Sequence, residues 1–262
     1  MKIVVCIKQV PSTTDAKIDP ETKRIIREGT KAAMNPFDLY AVEEAIRIKE
    51  RIGGEVTALS MGPESAKNSL IEALSMGADN AVLLCDRMFA GSDTWATSYT
   101  LAKAIEKIGG VDLIICGKQA VDGDTAQVGP GIAAKLDLMQ ATNVSKIEGI
   151  SEDAITVSRL NETGLDVLRL RLPALITVIK DINEPRIPTL KNARKARKAE
   201  IIMWKPDDIG AEPDKTGLYA SPTRVVRTEP PETRNSVTKK IEGGVSDQAK
   251  ALLDELVSRG LI

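Results

Sequence analysis

The chain has 262 residues, 42% hydrophobic and 28% charged, with a formal net charge of −1; this suits a globular protein with a full core and excludes an all-round basic nucleic-acid binder. Histidine is absent, which excludes a Ser-His-Asp triad or a His-based metal site within this chain, and at 3% the aromatic residues are too few for a base-stacking platform. No stretch approaches the roughly 18 consecutive apolar residues that a bilayer crossing needs, and Met1-Lys2 leads straight into a strand-like run, so a cytoplasmic protein with no signal peptide and no membrane insertion is expected.

Residues 3–7, Ile-Val-Val-Cys-Ile, form a short, mostly β-branched run suited to a central parallel strand. Residues 16–27 alternate around Asp19-Pro20-Glu21-Thr22 and read as a hairpin excursion at the sheet's edge. Asn35 is then a favoured N-cap with Pro36 at the first helical position. Ala41, Val42, Ala45, Ile46 and Ile48 supply the apolar face, and Gly53-Gly54 stops the helix. The unit repeats with a strand at 56–59, a turn at 61–63 and a helix over 65–76 ending at Gly77. A strand at 81–85, a loop at 86–92, a helix over 93–107 and a strand at 111–116 follow. Such alternation predicts βαβ crossovers and an α/β fold, a mostly parallel, doubly wound, Rossmann-like sheet whose ligands bind beyond the carboxyl ends of the strands. Cys6, Cys85 and Cys116 each lie within or at the end of one of these runs, with no C-x-x-C pair, and read as buried structural thiols.

The stretch GKQAVDGDTAQVGPG, residues 117–131, follows the fourth strand. Gly117, Gly123, Gly129 and Gly131 permit backbone conformations closed to other residues, and the small polar residues between them leave amide groups free to face an anion. Thr125 is placed to cap a short helix through residues 133–136, whose N-terminus adds partial positive charge for a phosphate. The loop matches neither G-x-G-x-x-G nor the Walker pattern, so it reads either as a nucleotide cradle or as a plain Gly-rich connection.

Beyond residue 143 the rhythm changes. Residues 155–160, the turn Asn161-Glu162-Thr163-Gly164 and residues 167–172 predict an antiparallel hairpin; Pro173 closes it and residues 174–179 are one more apolar strand. From Asn183 on, prolines recur and apolar patterns fade, so the tail is expected to pack on something else. Residues 190–198 hold five basic residues in nine positions on an expected helix, either a solvated face or a dock for an acidic partner. Residues 246–260 predict an amphipathic helix with a Ser246 N-cap, a stripe of Leu252, Leu253, Leu256 and Val257 and a Gly260 stop; its stripe suits either the chain's own sheet or a partner subunit.

Several motifs now coincide: Val5-Cys6-Ile7-Lys8-Gln9-Val10, Met34-Asn35-Pro36-Phe37, Val42-Glu43-Glu44-Ala45, Ala73-Leu74-Ser75-Met76-Gly77-Ala78-Asp79, Gly117-Lys118-Gln119-Ala120-Val121-Asp122, Leu170-Arg171-Leu172-Pro173-Ala174 and Asn183-Glu184-Pro185-Arg186. In this order and spacing the chain resembles the β subunit of electron transfer flavoprotein over nearly its full length. The family's signature across residues 157–177 is met with two departures, Thr163 and Asp166. The resemblance implies a heterodimer with an α subunit that carries FAD, and a β site for an adenine nucleotide, either AMP or the ADP part of a second FAD. It implies an α/β domain at residues 1–185, a partner-recognition loop and linker at 186–235, and a C-terminal arm at 236–262 that packs on the α subunit. By matching motif the β site would use Cys6, Asn35, Pro36, Phe37, Asp38, Met61, Gly117, Lys118, Gln119, Ala120, Val121, Asp122, Gly123, Asp124, Thr125, Ala126, Gln127 and Val128. Docking would use Leu190 as apolar anchor, with Arg194, Lys195, Arg197 and Lys198 beside it.

Two features resemble the electron-bifurcating branch, in which the β subunit carries FAD and takes hydride from NADH. Gly123 stands where the AMP-binding branch tends to have an acid. In the loop from Asp86, Gly91 would let a flavin or nicotinamide approach, while Thr94 and Thr97 lie one helical turn apart where their hydroxyls would reach flavin atoms; a plainly capped helix start at Ser92 or Asp93 explains the same residues. That branch implies ferredoxin or flavodoxin and an acyl-CoA dehydrogenase or a related dehydrogenase as partners, with no side chain of this subunit acting as acid or base. The rival readings are a nucleotide-sensing or ATP-hydrolysing α/β protein, disfavoured by the missing S-G-G-x-D-S loop and Walker lysine, and a structural scaffold.

Overall fold

In the computed structural model, which describes residues 1–12, 32–226 and 238–262, the first apolar run is strand β1 (Lys2–Cys6), with Ile3, Val4, Val5 and Cys6 all buried. Two short strands, β2 (Gln9–Pro11) and β3 (Ala32–Met34), pair antiparallel in a ladder of their own. They frame the expected hairpin at residues 16–27, which lies outside the described residues. Helix α1 (Pro36–Ile52) starts at Asn35-Pro36 and stops at Gly53 (φ 79°), as its end signals predict.

Strand β4 (Glu55–Met61), helix α2 (Lys67–Met76), strand β5 (Asn80–Leu84), helix α3 (Thr94–Ile108) and strand β6 (Leu113–Gly117) follow in the predicted order. Helix α4 (Val128–Lys135) then leads into β7 (Met139–Ile150), the hairpin β8 (Ala154–Leu160) and β9 (Leu165–Arg171), and β10 (Ala174–Val178). The tail adds helix α5 (Leu190–Ala196) and strand β11 (Ile202–Trp204).

The sheet has nine strands in the order β11-β5-β4-β1-β6-β10-β7-β8-β9. Its pairings are parallel except for β7 with β8 and β8 with β9. Because side chains alternate across a strand, β1 sends Ile3 and Val5 to one face and Val4 and Cys6 to the other. The first face packs on Ala41, Val42, Ala45 and Ile46 of α1 and Leu70 and Ala73 of α2. The second packs on Leu101, Ala104 and Ile105 of α3 and Ile132 and Ala133 of α4. The result is a three-layer, doubly wound core, in which each fully buried Leu or Ile contributes about 1.5–3 kcal/mol.

Two strands were not legible in the sequence. β7 changes partners along its length, running parallel to β10 and then antiparallel to β8, with register shifts at Val144/Lys146 and Ile147/Gly149 that break its alternation. β11 is three residues of the tail that pair with β5 and close that edge of the sheet. Ile209 and Ala211, just beyond, are buried in the core of the second face, so this part of the tail packs on its own domain.

The chain divides into the units Met1–Thr228 and Glu229–Ile262. In the second, helix α6 (Val245–Ser258) starts one residue before the expected Ser246 cap, with Gly244 at the N-cap position. Its Leu252, Leu253 and Val257 are more than half exposed. Among the described residues no helix is long and apolar enough to cross a membrane.

Candidate nucleotide site at the strand switch point

The chain builds outward from β1 through β4 to β5, then crosses back to place β6 on the other flank of β1. Between the carboxyl ends of β1 and β6 the direction of winding reverses, which opens a crevice where doubly wound sheets take ligands. Cys6 and Cys116 stand there at matched register, both buried. The hydrogen bond with Cys6, together with burial, pushes the Cys116 thiol well above its ordinary value, so it stays protonated and structural. Met61, at the end of β4, packs beside them.

Asn35 organises the crevice. It occupies the N-cap position of α1 but makes no capping bond. Instead its Nδ2 donates to Asp38 Oδ1 (2.9 Å) and to the Gln119 carbonyl (2.8 Å), and its Oδ1 accepts from the Val121 N–H (3.1 Å). Asp38 also accepts the N–H of Lys8 at 2.7 Å and that of Gly117. Burial pushes the Asp38 carboxyl up to about 7 against the lowering effect of these donors. The ends of β1 and β6 and the start of α1 are thereby bolted together.

Gly117, Gly129 and Gly131 serve close approach and not unusual dihedrals. None of Gly117, Gly123, Gly129 and Gly131 has positive φ, contrary to the expectation from sequence. A Cβ on Gly117 would run into Asp38 Oδ1 and the Phe37 main chain, and on Gly129 into the Thr177 methyl. The left-handed conformations fall on Asp124 (φ 53°) and Ala126 (φ 54°). They interrupt any helix begun at Thr125, so α4 starts at Val128 with Gln127 at the N-cap position, and Thr125 does not cap it.

In this loop, Gly123 and Asp124 donate their N–H to the Ala120 carbonyl. Among the described residues the N–H groups of Thr125, Ala126 and Gln127 meet no acceptor within the chain. Free amides in alternating backbone conformations, next to the N-terminus of α4, fit the phosphates of a nucleotide. Gly123 leaves open space where a side chain would stand. Lys118 also lines a groove of about 490 Å³ together with Asn143, Arg159 and Glu162.

The loop after β5 is capped and strapped. Asp86 accepts from the Met88 N–H at 2.9 Å, and Asp93 Oδ1 caps α3 by accepting from Trp95 and Ala96 at 2.9 and 3.1 Å. Asp93 Oδ2 holds the tail, accepting the N–H (2.9 Å) and hydroxyl (2.8 Å) of Thr223, while the Asp93 N–H donates to Ser221 Oγ (2.8 Å). Leu218 lies against Gly91, in the space expected to admit a flavin or nicotinamide. Thr94 and Thr97 do share the first turn of α3, and the Thr94 hydroxyl lies 3.4 Å from Gln127 Oε1, which ties this turn to the phosphate-compatible loop. Nothing near Gly91 in the chain signals the strap, which arrives from residues 217–223.

On the opposite side of α1, Arg186 bridges Glu43 (Nε to Oε2, 2.8 Å) and Glu50 (2.6 and 2.9 Å), and Asn183 donates to Glu44 and to the Tyr40 carbonyl. Burial of Glu43 opposes ionisation, but the Arg186 and Arg47 guanidinium groups outweigh it and hold the carboxyl below its usual value. Immediately beyond this latch, Ile187 and Leu190 are 91% and 82% exposed. Arg194, Lys195, Arg197 and Lys198 are exposed too and form no ion pair among the described residues, while Ala196 seats α5 on the core. Among the described residues no group of three or more His, Cys, Asp or Glu is placed to hold a metal ion.

Comparison with known proteins agrees with this geometry. The family model described as "Electron transfer flavoprotein domain" matches residues 22–209. The electron transfer flavoprotein subunit beta of Thermoanaerobacterium thermosaccharolyticum is 47% identical, with all of both chains covered. Protein FixA of Azorhizobium caulinodans is 46% identical over 99% of this chain and 95% of its own. The caffeyl-CoA reductase-Etf complex subunit CarD of Acetobacterium woodii is 43% identical over the whole of both. From the doubly wound sheet, its switch-point crevice and these matches, the chain belongs to the electron transfer flavoprotein family, among its β subunits.

Proposed function

We propose that this chain pairs with an electron transfer flavoprotein α subunit and holds FAD in the crevice between β1 and β6. There it takes hydride from NADH and divides the electron pair between a low-potential carrier, ferredoxin or flavodoxin, and the flavin of the α subunit, which feeds an acyl-CoA dehydrogenase or a related dehydrogenase. The observation that carries the nucleotide part is the set of free amides at Thr125, Ala126 and Gln127 beside the N-terminus of α4. The open space at Gly123 and the proximity of Thr94 to Gln127 favour the larger cofactor, and similarity to a subunit named for a caffeyl-CoA reductase-Etf complex supports a dehydrogenase or reductase as the partner.

FAD, when bound, supplies hydride acceptance and one-electron transfer. The protein's part is to hold and orient it: the loop amides grip phosphate, and Asn35 and Asp38 fix the loop to the strands. Ile187 and Leu190 present an apolar anchor to the dehydrogenase, with the basic face of α5 beside it. The exposed stripe of α6 packs on the α subunit, and the assembly works in the cytoplasm.

A second reading, AMP held structurally with no redox flavin in this subunit, is favoured by Leu218, which occupies the space over Gly91. The test is the cofactor content of the heterodimer after denaturation. Two FAD and no AMP per heterodimer is expected; one FAD and one AMP would refute the bifurcating reading and leave β a structural and docking subunit.

A further inference from the structure

The loop that suits phosphate also carries two carboxylates, Asp122 and Asp124, and each is engaged from outside its own turn. Lys8 Nζ reaches both oxygens of Asp122, at 2.7 and 2.8 Å, and Gln119 Nε2 donates to Asp124 Oδ1. Lys8 is well aimed for this, since its own N–H is held at 2.7 Å by the buried Asp38. The Lys8 and Asp122 side chains are 48% and 27% exposed. An isolated pair so open to solvent adds little to stability. Its effect on an arriving anion is larger, because an uncompensated carboxylate a few residues from the free amides would repel phosphate.

We infer that Lys8 is a positioning residue of the nucleotide site, which neutralises and holds Asp122 so that the amides at 125–127 can donate to the phosphates of an adenine nucleotide. The inference rests on the nucleotide reading above. Lys8 spends its ammonium on both oxygens of Asp122 and acts through that residue, not as a ligand of the phosphate.

The test is a mutant cycle in the intact heterodimer, freed of nucleotide by dialysis against a chaotropic salt and titrated calorimetrically with ADP. Lys8→Met is expected to weaken ADP binding by about tenfold. Asp122→Asn alone, which leaves the Lys8 ammonium uncompensated, should bind ADP more tightly than the parent, and Lys8→Met with Asp122→Asn should regain the loss of Lys8→Met to within about threefold of the parent. The deficit of Lys8→Met should also shrink at about 1 M salt, where exposed charges are screened. Equal binding by Lys8→Met and the parent, or a double variant no better than Lys8→Met, would overturn the inference. If Lys8→Met does not assemble, the same cycle is run with Lys8→Gln. A parent heterodimer that retains no nucleotide on purification and binds neither ADP nor AMP would instead overturn the nucleotide reading itself.

Discussion

Replacing Asn35 separates two explanations of the same helix start. The side chain is 1% exposed and makes three hydrogen bonds, to Asp38, Gln119 and Val121, none of which caps α1. Its loss strands a buried carbonyl and N–H and removes a donor from a buried carboxyl. At about 1 kcal/mol for each neutral bond and about 1.5–3 for the one to Asp38, Asn35→Ala should cost about 3–5 kcal/mol. Asn35→Ser gives the decisive comparison, since serine is as good an N-cap as asparagine but too short to span to the loop. If capping mattered, Ser would be nearly neutral and Ala would cost about 1 kcal/mol. The expected result is that Ser falls almost as far as Ala in urea unfolding followed by circular dichroism, and that both lose bound nucleotide. A serine variant as stable as the parent would refute this account of the loop tie.

Two further outcomes follow from the electrostatics. Asp38 has a folded value of about 7 against an ordinary 3.8, so between these values the native state holds more protons than the unfolded one. Its contribution therefore falls as pH rises from about 4 to about 7 and is constant above; Asp38→Asn should flatten that slope relative to the parent in urea midpoints measured across the window. Arg186→Met should cost about 3 kcal/mol, because Glu43 is left buried with only Arg47. It should also raise the KM for the partner dehydrogenase while leaving NADH-dependent dye reduction unchanged. The Glu43 contribution in the parent is present above the ordinary carboxylate value of 4.5 and is lost as pH falls below it, a loss the variant should lack.

The sequence made most of this architecture legible because local signals agreed. Residues 3–7 are continuously apolar, Asn35-Pro36 and Gly53 bracket α1, and Asp93 caps α3 as its type and position suggest. The crevice followed from the order of strands and helices. What stayed hidden depends on distance in the chain: β7 gains its strand character from two different partners, and β11 is too short to show a period. Gly117 and Gly129 were noticed but given the wrong reason, since steric room against Phe37 and Asp38, or against Thr177, has no local signature. For the same reason, no pattern around Gly91 announces Leu218.

The Asp93 clasp gives the molecule a timetable. Thr223, which completes it, lies 130 residues further along the chain. At a synthesis rate of about 5–20 residues per second, roughly 7–26 s separate the emergence of the helix cap from the arrival of its strap. During that interval the sheet through β10 can be complete while the loop after β5 is still uncovered, so the site is finished last, after its scaffold.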